Sequence, residues 1–298
     1  MKILLLGKNG QVGWELQRQL ATLGDVVALG SETLDLREVD RIRSAVREIE
    51  PQLIVNAAAY TAVDRAESDR ESAMTVNGIT PRVLAQEAGR IGAGFVHFST
   101  DQVFNGKGTR PYAEDDEPDP VNVYGASKLA GELGIREADT SALILRLSWV
   151  YSLRRESFVS KVIRWAESQQ ELRIVNDQVS TPTWCESIAK ATARVIDLCL
   201  ESGEFLLNCQ GLYHLASSGQ ATRFEWAMEI LRAASNGSIR TDRELTPARS
   251  EEFPTAARRP QYTVLDCSKL ERRFGIRLPD WRDDLRRAWT DQSIRMAE

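Results

Sequence analysis

Short apolar runs alternate with amphipathic stretches through the first half of the chain. Lys2-Ile3-Leu4-Leu5-Leu6 is continuously apolar after its lysine, the pattern of a strand covered on both faces in a parallel sheet. Trp14 to Leu20 follows with helical spacing. Asp25 to Leu29 predicts a second strand, and Arg37 to Ile49 a helix that Pro51 closes. Leu53-Ile54-Val55 predicts a third strand, Glu71 to Arg90 a helix carrying Asn77, Phe95 to Phe98 a fourth strand, and Ala142 to Val150 a fifth. Asn105 to Asn122, rich in Gly, Pro and Asp, reads as a loop. The β-α-β-α order over 1–150 predicts an α/β fold with a doubly wound parallel sheet.

After Tyr151 the texture changes. Helical patterns at Phe158 to Ser168, Ile188 to Glu201 and Arg223 to Ala234 are separated by extended pieces at Leu172 to Val175 and Leu212 to Leu215. Pro182, Pro247, Pro254, Pro260 and Pro279 punctuate the segment. Residues 151–298 are therefore expected to form a smaller, mostly helical substrate-binding lobe with excursions back to the sheet of 1–150.

Composition narrows the class. The chain has 298 residues, 42% hydrophobic and 27% charged, with a net charge of -5, so it offers no basic surface for nucleic acid or an anionic membrane. The cysteines (Cys185, Cys199, Cys209, Cys267) show no CxxC spacing, which favours free thiols in a reducing compartment. With only His97 and His214, a histidine-based metal site is not expected, and both histidines read as structural residues of strands. MKILLLG is too short an apolar run for a signal peptide, and no stretch approaches a membrane span. The expectation is a cytoplasmic enzyme.

Four stretches carry candidate chemistry. Gly7-Lys8-Asn9-Gly10-Gln11-Val12-Gly13 lies between a strand and a helix, the context of a dinucleotide-binding turn. There the glycines let the backbone approach a pyrophosphate at the helix N-terminus, as in Rossmann-type folds. The spacing is GxxGxxG. At the end of the second strand Gly30-Ser31 carries neither sign of charge, and Lys8 stands nearby in the turn; this leans to NADPH, with NADH as the second candidate. Asn56 to Thr61 and Ser99 to Phe104 follow two further strands, where ligands of such sheets bind. Finally Tyr124 and Lys128, four residues apart, share one face of a predicted helix. An ammonium beside a phenol favours the phenolate, bringing the tyrosine toward general acid-base work.

The glycine turn, NAAAYTAVD, STDQVF and YGASK together resemble the extended short-chain dehydrogenase/reductase family. LRLSWVY, IVNDQVSTPTW, GLYHLAS, ARRPQYTVLDCSKL and LPDWRDDLRR resemble, more narrowly, its dTDP-4-dehydrorhamnose reductase branch. The resemblance implies reduction of the C4 keto group of dTDP-4-dehydro-L-rhamnose with an NAD(P)H hydride. It makes Tyr124 the proton donor, Lys128 its electrostatic and ribose-binding partner, and Thr100 a hydrogen-bond donor to the substrate carbonyl. Gly7, Gly10, Gln11, Val12 and Gly13 would serve the cofactor pyrophosphate, Asp35 and Leu36 its adenine, and Ala59, Tyr60 and Thr61 its middle. Thr100, Asp101 and Trp149 would contact the dTDP-sugar. Mg²⁺ enters by resemblance only, with no carboxylate spacing to identify its ligands, and a homodimer is compatible with it. Two positions depart from the family pattern: Gln102 stands where tyrosine is usual, in the substrate pocket, and Ser180 where glycine is usual, expected in a turn.

Related dehydratases place a glutamate base after Thr-Asp, where this chain has Gln102, an amide that takes no proton at neutral pH. An epimerase or another sugar-nucleotide reductase shares the cofactor motifs. The reading from a different class is an NADP-binding regulatory subunit resembling the β subunit of methionine adenosyltransferase, which an intact Thr100, Tyr124 and Lys128 set does not exclude.

Overall fold

The structure, a computed structural model, describes residues 1–138, 140–201, 209–235 and 244–295. The first half runs β1 (Lys2–Leu6), α1 (Gln11–Leu20), β2 (Asp25–Leu29), α2 (Val39–Ile49), β3 (Leu53–Asn56), α3 (Val63–Ala66), α4 (Arg70–Met74), α5 (Thr80–Ile91), β4 (Gly94–Thr100), α6 (Val123–Arg136) and β5 (Ala142–Leu147). The second half continues with β6 (Val150–Tyr151), α7 (Phe158–Ser168), β7 (Glu171–Val175), β8 (Val179–Ser180), β9 (Thr183–Trp184), α8 (Cys185–Glu201), β10 (Gly211–His214), β11 (Ala221–Thr222), α9 (Arg223–Ser235), β12 (Glu244–Ala248), α10 (Ser268–Phe274) and α11 (Trp281–Arg295).

Six strands form one parallel sheet in the order β10-β5-β4-β3-β1-β2. Strand side chains alternate between its faces. Ile3, Leu5, Val55, Val96 and Leu145 point to one face, under Leu16 and Leu20 of α1 and Ile188 and Ile196 of α8. Leu4, Leu6, Ile54, Phe95 and Ile144 point to the other, under Ile42 of α2, Leu84 of α5 and Ile135 of α6. Burial on both faces is why these strands read as unbroken apolar runs. The strand order reverses between β1 and β3, so the loops leaving these two strands part and open a crevice there.

The later segments have a third core, in which Val159 and Val162 of α7, Leu172 and Ile174 of β7, Trp226 and Ile230 of α9, and Trp281 and Leu285 of α11 pack together. Two segments return to the sheet: β10 pairs with β5 at its edge, and α8 covers the face that α1 covers.

Four expectations need correction. The helix expected over Glu71 to Arg90 is interrupted by a π-helical turn, Thr75–Ile79, and the extra residue swings Asn77 inward to bridge the Tyr60 backbone and Ser127. The strand expected to reach Val150 breaks at Trp149, whose φ is 33°. Cys199 and Cys209, expected as free thiols, are joined in a disulfide with Cα atoms 6.0 Å apart. Both lie in the core on one face of the sheet, where α8 ends and β10 begins, a proximity that spacing alone does not reveal. Ser180 is in β8, not in a turn, and is wholly buried.

The glycine turn depends on two approaches that a side chain would forbid. Gly7 has φ 84°, and a β-carbon on it would stand 2.7 Å from the Ala58 nitrogen. A β-carbon on Gly13 would stand 2.0 Å from the Gly7 carbonyl oxygen, so α1 packs backbone against backbone onto the turn. Gly13→Ala is therefore expected to destabilise the chain by about 3 kcal/mol, the upper range for overpacking. Chemical denaturation checks this; an unchanged midpoint would mean that the turn relaxes freely.

Candidate active site

One cavity of about 960 Å³ opens at the C-terminal ends of the sheet strands and runs into the later segments. Gly7, Gly10, Gln11, Val12, Asp35, Leu36, Ala59, Thr61, Thr100, Asp101, Tyr124, Lys128 and Trp149 all line it. Two of the proposed cofactor residues do not. Gly13 faces Gly7 across the helix-turn contact, and Tyr60 is held away, its phenol donating to Asp69 Oδ2 at 3.0 Å.

The glycine turn suits a pyrophosphate. Helix α1 has Gly10 at its N-cap position, with no side-chain cap and no acidic residue in its first turn, so its first N–H groups and dipole are free for an anion. A β-carbon on Gly10 would meet only the Gly7 oxygen at 3.2 Å and the Ala57 oxygen at 4.0 Å, so the surface there is bare backbone. Gly30 was expected to leave the ribose end uncharged. Instead the Glu32 carboxylate folds back to where a Gly30 side chain would stand, paired with Lys8 Nζ at 3.0 Å and accepting from Asn9 Nδ2 at 2.9 Å. Hydrogen bonds from the local backbone and from Lys8 hold its carboxyl below the usual range. The acid lies two residues past the strand-end position, which a fixed-offset reading passes over.

Helix α6 brings the chemistry. Asn122 caps it, its side-chain oxygen accepting from the Gly125 N–H at 2.8 Å. Its amide also donates to Gln102 Oε1 at 3.0 Å and to the Arg258 carbonyl at 2.9 Å. A β-carbon on Gly125 would lie 2.2 Å from the Gln102 carbonyl oxygen, so the helix start lies directly on the turn after β4. This contact sets Tyr124 near Thr100, whose hydroxyl favours the ionised phenol.

Burial pushes the Tyr124 phenol up to about 12, against the opposing effect of the Thr100 hydroxyl. Lys128 was expected to lower it. In the structure the ammonium reaches past the phenol to donate to the Phe98 carbonyl at 2.6 Å and to lie 3.1 Å from His97 Nε2. Sharing a helix face fixes where the stem begins, not where four methylenes carry its end. Burial pulls Lys128 down to about 8. It also pulls His97 well below its ordinary range, so the ring beside the ammonium is neutral. An ammonium has three N–H donors; two are used, and one remains for a ligand in the cavity.

Asp101 is buried among hydroxyls. Thr263 Oγ1 (2.7 Å), Ser180 Oγ (2.9 Å) and Ser148 Oγ (3.1 Å) donate to Oδ2, and Thr100 Oγ1 donates to Oδ1 at 3.1 Å. Desolvation raises its carboxyl, partly offset by these donors. Trp149 stacks on Trp226 at 5.6 Å between ring centroids. Its φ of 33° is costly for a bulky residue, a strain that structures retain mainly where a side chain must be aimed. Sequence reasoning missed His97, Asn122, Ser148, Thr263 and Arg223 as members of the site. Asn122 had a clear local signal, a cap residue preceding a helix.

Among the described residues no group of three or more His, Cys, Asp or Glu side chains could hold a metal ion, so the residues present do not fit the Mg²⁺ that the resemblance suggested. No described helix is long and apolar enough to cross a membrane.

A doubly wound sheet with a glycine turn at its crevice and a Tyr-Lys pair beside a strand-end threonine defines the short-chain dehydrogenase/reductase class of nucleotide-dependent oxidoreductases. Within that class, the family model described as RmlD substrate binding domain matches residues 1–294, and the chain belongs to this family. A dTDP-4-dehydrorhamnose reductase from Burkholderia thailandensis is 43% identical over 95% of this chain and 96% of its own length. The crystal structure of a dTDP-4-dehydrorhamnose reductase from Clostridium acetobutylicum superposes with a TM-score of 0.89 at 35% identity, covering 98% of this chain and 99% of that one. One from Bacillus anthracis, in complex with NADP, gives 0.88 at 32% identity, covering 97% and 99%.

Lys128 gives a pH prediction. Its ammonium, the form that can donate to a ribose hydroxyl, is lost above about pH 8. NADPH affinity is therefore expected to be flat below that pH and to fall above it, and Lys128→Met should bind weakly with no such break. Calorimetric titration on either side of pH 8 checks both; the same break in the mutant would assign it to another group.

Proposed function

We propose that the chain reduces the C4 carbonyl of dTDP-4-dehydro-L-rhamnose to give dTDP-L-rhamnose, with Tyr124 as the proton donor. The observation that carries this is the Tyr124 phenol set against Thr100 in the cavity that also contains the bare glycine turn and Lys128. The names of the relatives support the substrate. Residues 1–150, with α8 and β10, would hold the cofactor, and the remaining segments the nucleotide of the substrate.

A bound NADPH would supply the hydride. Gly7, Gly10, Gln11 and Val12 would hold its pyrophosphate, Asp35 and Leu36 its adenine, Ala59 and Thr61 its middle, and the third N–H of Lys128 its ribose. Tyr124 stays protonated at neutral pH, so it has the proton that the growing oxyanion needs. Thr100 accepts from the Gln102 N–H at 3.2 Å, which fixes its oxygen. Its own proton, resting on Asp101, can turn to the substrate oxygen while the other hydroxyls keep Asp101 satisfied. Donors aimed at developing charge form the largest catalytic contribution in many enzymes.

Tyr124→Phe removes one oxygen and leaves the ring. It is expected to lower kcat and kcat/KM together by roughly 10²- to 10⁴-fold, the usual worth of general acid catalysis, with NADPH binding nearly unchanged. The measurement is NADPH oxidation with the dTDP-linked 4-keto sugar. Wild-type protein that binds NADPH without oxidising it would favour the regulatory-subunit reading instead.

The Lys8–Glu32 pair supports use of both cofactors, with NADPH preferred: Glu32 can accept from a 2′-hydroxyl, and Lys8 can meet a 2′-phosphate. Glu32→Gln is expected to raise the NADPH-to-NADH ratio of kcat/KM by about fivefold, the scale of one exposed charge contact. An unmoved ratio would place the 2′ position elsewhere.

A further inference from the structure

The cavity is also lined by Trp149, Phe158, Gln178 and Trp226, and besides Lys128 four cations line it: Arg155, Lys161, Arg223 and Arg259. Three of them are engaged. Arg155 donates to the Asn9 carbonyl of the glycine turn. Lys161 pairs with Glu156 at 3.6 Å, and Arg259 with Asp64 at 2.6 Å. Arg223 has no carboxylate within 4.0 Å and no side-chain hydrogen bond among the described residues.

What Arg223 does have is aromatic support. Its guanidinium carbon lies 3.6 Å from the Trp149 ring centroid, 5.0 Å from that of Phe158 and 5.5 Å from that of Trp226. Burial brings its pKa down to about 9, with Asp101 opposing the change, so it keeps its charge at neutral pH. Arginine readily stacks on aromatic faces while its planar fork of N–H groups matches the oxygens of phosphate. A cation supported by rings and lacking an anion is a receptor waiting for one.

The position fits the substrate's anionic part. Arg223 lies within electrostatic reach of Asp101, whose neighbour Thr100 and partner Tyr124 are where the reacting carbonyl belongs. In a nucleoside-diphosphate 4-keto sugar the diphosphate is attached at C1, across the ring from C4. We infer that Arg223 receives the diphosphate of the substrate, with the Trp149 face holding the guanidinium plane for two-oxygen contact. This rests on the sugar-nucleotide reading above and deepens it by assigning the residue that recognises the anion.

The test is calorimetric titration of the full chain, saturated with NADPH, with dTDP and separately with thymidine. Wild type is expected to prefer dTDP, with an affinity that falls as salt rises. Arg223→Gln should weaken dTDP binding by roughly 10- to 100-fold, the range for hydrogen bonds to charged groups. Thymidine and NADPH affinities should be unchanged, and Arg223→Lys should recover part of the loss. Equal dTDP affinity in Arg223→Gln would overturn the assignment, as would an equal loss for dTDP and thymidine, which would show a packing role. Steady-state kinetics separates this from the broader reading. Wild-type turnover with an unchanged KM for the sugar nucleotide in Arg223→Gln would sink the Arg223 assignment alone. Selective dTDP binding without wild-type turnover would sink the reductase reading and leave Arg223 as a diphosphate receptor.

Discussion

A β-carbon on Gly125 would stand 2.2 Å from the Gln102 carbonyl oxygen, so α6 reaches the end of β4 only through a residue that has none. The remaining geometry of the site follows from this contact. It sets the residue before the glycine, Tyr124, beside the last residue of β4, Thr100. It lets the next turn of the helix deliver Lys128 onto β4, where the Phe98 carbonyl and His97 receive it. A second close approach secures the other side of the same helix: Gly131 lies against the Asn77 carbonyl, where a β-carbon would come within 2.2 Å. Asn77 in turn holds the Tyr60 backbone through both ends of its amide. Catalytic helix, π turn and the loop after β3 are thus one connected unit.

The charges of the protein fall into two groups. Those that serve the scaffold are ion-paired, as with Arg146 and Glu132, which meet at 2.6 Å and are both nearly inaccessible. Three of those that line the cavity are solvated by neutral groups instead. Asp101 has hydroxyls, Lys128 a carbonyl and an imidazole, and Arg223 aromatic rings. Removing a charge from water costs several kcal/mol even after relaxation, and a direct counter-ion would offset that cost at the expense of the charge's reach. Dipoles and ring faces offset it while leaving the net charge exposed to whatever enters. Ser180 belongs to this logic: it adds a donor to Asp101 without adding charge.

Legibility in the sequence followed the range of the forces involved. The sheet was readable because each strand is buried on both faces, and that leaves a continuous apolar run. The glycine turn and the Tyr124-Lys128 pair were readable because their geometry is local, set by a turn or by a single helical repeat. Ser148, Ser180 and Thr263 were not, since three hydroxyls from separate segments meet only when the later segments fold onto β4. Glu32 was missed because a carboxylate on a flexible stem reaches back two residues. Arg223 left one faint sign: it opens α9, where the helix dipole disfavours a cation, so its placement needed a reason beyond the helix itself.

The state of the protons bears on which chemistry the cavity supports. A dehydratase needs a base near the sugar, and the place where one would follow Asp101 is taken by Gln102, whose amide oxygen already accepts from Asn122. His97 is neutral, yet its Nε2 is engaged by Lys128 and its Nδ1 lies 3.1 Å from the Asn56 amide. Neither is free to remove a proton from carbon. Tyr124, by contrast, is pushed up to about 12 by burial, which keeps the phenol in its acid form across the working range. The hydroxyl that neighbours it is braced by a backbone N–H on one side and by Asp101 on the other. Among the described residues the resting site therefore holds a proton ready to give and has no vacant base beside it to take one, which is the arrangement that carbonyl reduction requires.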